Sequence, residues 1–432
     1  MITAESKQAR DLAEARLARP VQDALEAAVV LEAWVGEQSG RALEIGPELV
    51  RAPEQPAEAA PGASHRTRQT GALADGMGLV IAVLLVATWA SPIADALGAA
   101  VWNGALVLAL PVALALEWML LARHGGGAEL SFTRRGASGA AVLLLIVGAA
   151  LFLSGAQGRL AAALVVTWVC GAALVKLRLL SAYLVLLAVS SGLMHAGVEA
   201  ELVIWSAALT SFSIALWAVL TRRTADDRAG APSRALGWAA IGAGLGLMLV
   251  ADRSIGWGFN GSVPALALIP SAAGSLWAAH HLSRIYWAMP DSLEGVGYVT
   301  SDRINLRGEA TRILGGAVIR MAVAVTILSV LCAMLGRWTD GTISTGLFAA
   351  FAAFGLASLF VTLLASIRRS HLAALAVASG LIVELLLRRW LGEPPPGTYL
   401  LSASLLAALL AATRIVFLFS RPGRALATGL WI

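Results

Sequence analysis

Gly242–Trp257 reads GAGLGLMLVADRSIGW, and the reading of this stretch decides the fold. An apolar run long enough to enter a bilayer ends on an adjacent acid and base, Asp252 and Arg253, followed by Gly256 and Trp257. The series Gly242, Gly244, Gly246 looks superficially like a dinucleotide loop. No strand precedes it, and inside an apolar helix Gly242 and Gly246 instead form the small-xxx-small spacing that lets a second helix approach closely.

Working outward, six further apolar stretches precede this one and five follow it. They are 77–95, 99–122, 137–155, 159–175, 179–196 and 201–221, then 235–251 itself, and 262–288, 312–336, 343–367, 371–390 and 398–419. Each has the roughly 17 to 25 residues that a helix needs to cross about 30 Å of hydrocarbon. The composition agrees: 58% hydrophobic residues, 14% charged and a mean hydropathy of +0.76 lie outside the range of soluble domains. The expected fold class is an all-α polytopic membrane protein of about twelve transmembrane helices in two six-helix lobes. The seam is the linker 222–234, RRTADDRAGAPSR, between a first lobe at 71–221 and a second at 235–432. The short turn from Gly155 to Arg159 predicts an antiparallel hairpin, and Leu306–Arg312 should lead helically into the ninth span.

A net charge of +5 would suggest nucleic acid in a soluble chain, but here the basic residues gather at the ends of apolar runs. They act as topology signals, and no nucleic-acid partner is expected. With a cytoplasmic amino end, the outer loops receive Arg159, Arg253, Arg337, Arg388 and Arg389, and the inner loops about three times as many basic residues. Both termini are then expected on the cytoplasmic side of a cell (inner) membrane. Cys170 and Cys332 each sit inside an apolar run without partner or metal-ligand spacing, so packing is their expected role. No cofactor or metal site is expected, and the chain contains no GxxxxGK[ST], HExxH or GxSxG motif. It is read as a non-enzyme without an NTPase engine.

Residues 1–37 carry Leu12, Leu17, Val21, Leu25, Val29 and Val30 at mostly three-to-five spacing, the pattern of an amphipathic helix. With the Ala/Pro-rich linker that follows, residues 1–70 are expected to be cytosolic, and the helix is a candidate dock for a partner.

Ionised side chains inside spans face protein or water, because mid-helix insertion costs about 2.5–3.5 kcal/mol. By depth these are Glu117, Arg320, Glu384 and Arg414. Snorkelling accounts for Arg414 and Arg284, and Glu384 has Arg388 one turn later as a possible pair. Glu117 and Arg320 fit a water-filled cavity open to the cytoplasm. The adjacent His280 and His281 point to two helix faces and do not chelate one metal easily. His195, Glu199 and Glu201 form an outer-loop cluster read as solvated.

The run Leu245–Trp257, with Asp252, Arg253 and Trp257, resembles a helix of the membrane subunit of Pel exopolysaccharide exporters. Pro270, Arg284–Tyr286, the loop from Asp291, Glu309 with Arg312, and the Arg368–Arg369 turn follow the same order. Phe348–Phe419 also looks like the tail of that family and of the wider multidrug, oligosaccharidyl-lipid and polysaccharide flippases. The chain departs from it in having residues 1–70 first, and at HHLSRIY (280–286), where Tyr286 matches without the expected acid. The resemblance implies a transporter of a polysaccharide or lipid-linked glycan, partnered by a cytoplasmic glycosyltransferase. Its candidate substrate path runs through Glu117, Asp252, Arg253, Arg284, Tyr286, Arg320, Glu384 and Arg414. A membrane-embedded glycosyl- or acyltransferase and a non-transporting scaffold of a synthase complex are the alternatives. The short outer loops speak against the enzyme.

Overall fold

The computed structural model describes residues 99–122, 134–177, 179–221, 232–251, 306–340, 345–366, 369–392 and 397–419, with scattered positions before residue 99. Ten helices occupy these ranges. They are α1 (Ala99–Ala122), α2 (Arg134–Phe152), α3 (Ala156–Lys176), α4 (Leu180–His195), α5 (Ala200–Thr221), α6 (Pro232–Ala251), α7 (Leu306–Asp340), α8 (Thr345–Ser366), α9 (Ser370–Leu391) and α10 (Thr398–Phe419). Among the described residues there is no strand. Each helix falls on one of the apolar stretches of the sequence, and α7 begins at Leu306, where a helical lead-in is expected. The expected spans 77–95 and 262–288 lie outside the described residues, apart from scattered positions in the first such as Ile81 and Ile93.

Six of these helices contain apolar segments of membrane-crossing length: Ala100–Met119, Ala156–Leu174, Ala200–Thr221, Gly346–Ala365, Ser370–Leu391 and Thr398–Phe417. At about 1.5 Å per residue, twenty residues span about 30 Å of hydrocarbon. The other four carry shorter apolar segments, Ala141–Phe152, Leu180–His195, Leu236–Ala251 and Val318–Met334. Side chains on the outer faces are as greasy as those inside: Val185, Leu202, Leu209, Trp217, Ile319, Leu375, Leu409 and Val416 are all exposed. Water would not tolerate so much apolar surface on so many helices, whereas lipid solvates it. The protein is therefore an all-helical membrane protein.

Contacts divide the chain into two compact units, one of residues 1–71, 280–321 and 412–432, the other of 72–279 and 322–411. In the first unit Asp11 is exposed, whereas Ala27, Val30 and Leu31 are buried. The helix packing that follows is that of the second unit.

There α6 packs against both α1 and α9. A Cβ on Gly246 would stand 2.6 Å from the Cα of Pro111, and one on Gly242 would strike the Leu114 carbonyl, so α1 and α6 touch backbone to backbone. Gly244 meets the Val377 side chain and Gly237 approaches Ser370, both on α9. Two residues turn a helix by about 200°. Alternate glycines therefore open opposite faces of α6, one to each neighbour. Contacts with α1 run in opposite senses along the two helices and those with α9 in the same sense, so α6 is antiparallel to α1 and parallel to α9.

In a membrane the apolar effect between helices is weak, and close packing of small residues takes its place. Ala161, Ala162 and Ala163 in α3, and Ala403, Ala407 and Ala411 in α10, are buried accordingly. Buried hydroxyls turn onto their own helices: Thr167 donates to Ala163 O (2.9 Å), Ser211 to Ala208 O (2.9 Å) and Thr362 to Ser358 O (2.7 Å). Lipid offers no other acceptor.

Candidate functional site

α1 and α3 lie side by side and parallel, since Gly104 meets Gln157 and, further along, Glu117 meets Trp168. The indole Nε1–H of Trp168 donates to Glu117 Oε2 at 2.8 Å. Glu117 is half-buried and Trp168 is exposed. One turn further along α3, Gly171 leaves room for the ring of Tyr183 from α4, which is buried. Glu117 and Cys170 are within electrostatic reach of that phenol. Trp118, the neighbour of Glu117, is buried with its ring 5.7 Å from that of Trp238 on α6. One carboxylate thus stands among three aromatic side chains from α1, α3 and α4.

Magnitudes indicate what this arrangement needs. Inserting a carboxylate costs about 2.5–3.5 kcal/mol. A hydrogen bond to a charged group returns about 1.5–3 kcal/mol, and interhelical bonds in membranes generally less. The indole therefore offsets part of the cost, and the remaining carboxylate surface favours water or polar ligand groups over hydrocarbon. An aromatic face beside a carboxylate can stack on apolar C–H surface while the oxygens accept hydroxyl protons.

Glu384 lies in a different setting. Its side chain is fully buried at the fifteenth of the 22 residues of α9. One turn earlier, a Cβ on Gly380 would lie 2.7 Å from the Ala403 carbonyl and 3.3 Å from the Ala407 Cβ, so α9 and α10 are closely apposed there. Arg388, one turn later and exposed, donates from Nη1 to the carbonyl of Ala251 (3.2 Å), the last residue of α6. A cation at that place also meets the negative end of the α6 dipole. The hydroxyl of Ser404 on α10 is buried and has no hydrogen-bond partner among the described residues.

Arg320 and Arg414 fall in the other unit, and both are exposed. Arg320 donates from Nε to Gly316 O at 3.1 Å, one turn back toward the start of α7. That bond turns the side chain back along its own helix. Asp252, Arg253, Arg284, Tyr286, His280 and His281 lie outside the described residues.

Of the expected path, Glu117 and Glu384 are in one unit, on helices that both pack against α6, while Glu384 is closed off from any surface. Trp168 and Tyr183 escaped the sequence reading. The similar depths of Glu117 and Trp168 from the ends of their spans are the signal that pairs them. Among the described residues no group of three His, Cys, Asp or Glu is placed to hold a metal. Cys170 and Cys332 are free thiols and buried. His195 is exposed, its Nδ1 2.8 Å from Ser191 O. Comparison of the chain with protein-family models, with curated proteins and with solved structures gave no match.

Proposed function

We propose that this membrane protein is a transporter that exports a polysaccharide or lipid-linked glycan across the cell (inner) membrane, with about twelve helices and both termini cytoplasmic. The observation that carries the reading is the Glu117–Trp168 pair: a half-buried carboxylate fixed beside an exposed indole inside an apolar bundle. Sugars present hydroxyl donors on their edges and C–H groups on their faces, and this pair complements both. The glycine-lined faces of α6 add support. Backbone surfaces without interlocking side chains can slide with little repacking, as helices must when access alternates between the two sides.

Helix direction supports one further crossing between α6 and α7. α6 and α9 run parallel. The four residues 341–344 span at most about 14 Å and cannot recross the bilayer, so α7 and α8 run in opposite senses. α8 and α9 are likewise joined by a short connection and pack together. α7 then runs in the sense of α6, which requires the chain to return across the membrane between Ala251 and Leu306. In this reading the expected span at 262–288 is that return. Cysteines introduced singly at 253 and 303 are expected to react with impermeant thiol reagents from opposite sides; labelling from the same side removes the twelve-helix topology.

The amino-terminal segment is proposed to hold a cytoplasmic glycosyltransferase through residues 1–37. Ala27, Val30 and Leu31 are already buried, so the contact uses the remaining surface of the segment. Deleting residues 1–60 without loss of partner co-purification counts against it. For the transporter itself, E117A and W168A are expected to abolish accumulation of extracellular glycan while protein level and detergent behaviour stay normal. Export at wild-type levels in both variants overturns the assignment of this pair.

A further inference from the structure

The outward face of α5 is built differently from the other lipid-facing surfaces of its unit. We infer that this face is an interface with a second copy of the chain, the two α5 helices meeting as a parallel, in-register pair. The inference stands apart from the export reading above.

α5 is long and apolar enough to cross a bilayer. It turns Val203, Ala207, Ala208 and Ser211 into the bundle, where it packs on α3 and α4. On the opposite side Leu202, Ser206, Leu209, Ser213, Leu216 and Leu220 are all exposed. Their spacing alternates four and three residues, the seam along which two helices wind round each other. Leucine recurs at every seventh residue, at Leu202, Leu209 and Leu216, and the layers between are Ser206, Ser213 and Leu220. Any exposed helical face has positions at such spacing; what sets α5 apart is serine in two successive alternate layers. From 141 to 152 on α2, and from 375 to 386 on α9, every exposed residue is apolar.

The two serines identify the occupant. Ser206 Oγ donates to Val203 O and Ser213 Oγ to Leu209 O, both at 2.8 Å. Each hydroxyl proton is thus used within the helix, and the oxygen still has capacity to accept that a lipid chain cannot fill. A second hydroxyl at the same depth can fill it: one of the two turns to donate across, and the other keeps its own carbonyl. Copies of one chain insert in the same sense, so a two-fold axis between them lies along the membrane normal. Every residue near that axis then meets its own counterpart, and both serine layers are matched at once. A helix of different sequence would need two hydroxyls at the same two depths, two turns apart. Polar residues in this alternate layer also fix register and favour two strands over higher assemblies, since a slipped pairing sets serine against leucine. Serine is small enough to let the backbones approach, which is what holds helices together in lipid.

Disulfide crosslinking of the full chain in native membranes tests the contact, in a C170A/C332A background that removes the two buried thiols. Close parallel layers bring Cα atoms to about 6 Å, within reach of a disulfide. S206C and S213C are expected to yield a product of twice the chain's mass on oxidation. The controls V142C and I382C stand at exposed positions on α2 and α9 and should yield about tenfold less, the product of random collision. Stepwise photobleaching of the labelled natural chain, sparsely reconstituted in lipid vesicles, should count two copies per particle. S206A/S213A keeps the close approach but removes the hydroxyls, and should weaken dimerisation about three- to tenfold. Equal yields at the control positions, a crosslinked product of any other mass, or one copy per particle overturns the interface. Undiminished dimerisation of S206A/S213A overturns the serine layers as the source of its register.

Discussion

Replacing Gly246 by alanine adds one methyl group at the place where α6 rests on α1, and the structure gives the size of the collision. The new Cβ would lie 2.6 Å from Pro111 Cα, 2.8 Å from Pro111 N and 3.0 Å from the Leu110 carbonyl carbon. All three are backbone atoms and none can rotate away, so the helices must separate by several tenths of an ångström along their whole contact. Overpacking of this kind costs about 1–3 kcal/mol. Alanine is also the better helix former, by about 1 kcal/mol in water, which works in the other direction. Gly148→Ala on α2 isolates the two effects, because nothing lies within 4 Å of its added Cβ. Gly244→Ala is intermediate: it meets the rotatable Cγ1 of Val377 at 2.6 Å. Unfolding of the three variants in mixed micelles, followed by tryptophan fluorescence, should give G246A as the least stable, then G244A, then G148A. The first and last should differ by about 1–3 kcal/mol, roughly 5- to 160-fold in the unfolding equilibrium. If G246A and G148A unfold together, α1 and α6 are not in backbone contact and the account of α6 as the clasped helix fails.

A double-mutant cycle on E117Q and W168F should return a coupling of about 0.5–2 kcal/mol in the same unfolding assay, the range for interhelical hydrogen bonds in membranes; additive effects refute the pair. R388A removes the donor to the Ala251 carbonyl and should lower stability by about 0.3–1 kcal/mol, with R388K restoring part of it. Y399F deletes the hydroxyl that reaches Gly392 O and should speed proteolysis between α9 and α10 without altering helix content; unchanged cleavage refutes that role of the tyrosine.

Amino-acid order determined the all-helical membrane class and the places of the helices, for a local reason. Hydropathy over about twenty residues decides whether a segment leaves water, and the helix satisfies its own backbone once it has left. Gly242 and Gly246 were legible as a contact stripe by their spacing. Gly244 was not, because its use depends on a second helix, α9, arriving on the opposite face. Depth along a span marked Glu117, Arg320, Glu384 and Arg414 as costly residues, yet depth carries no direction around the helix axis. Only the tertiary packing separated an exposed Arg320 turned back on its own helix from an enclosed Glu384, and set Trp168 beside Glu117. Insertion into the bilayer is a property of each segment alone, whereas the facing of each side chain is settled by which helix comes to lie against it.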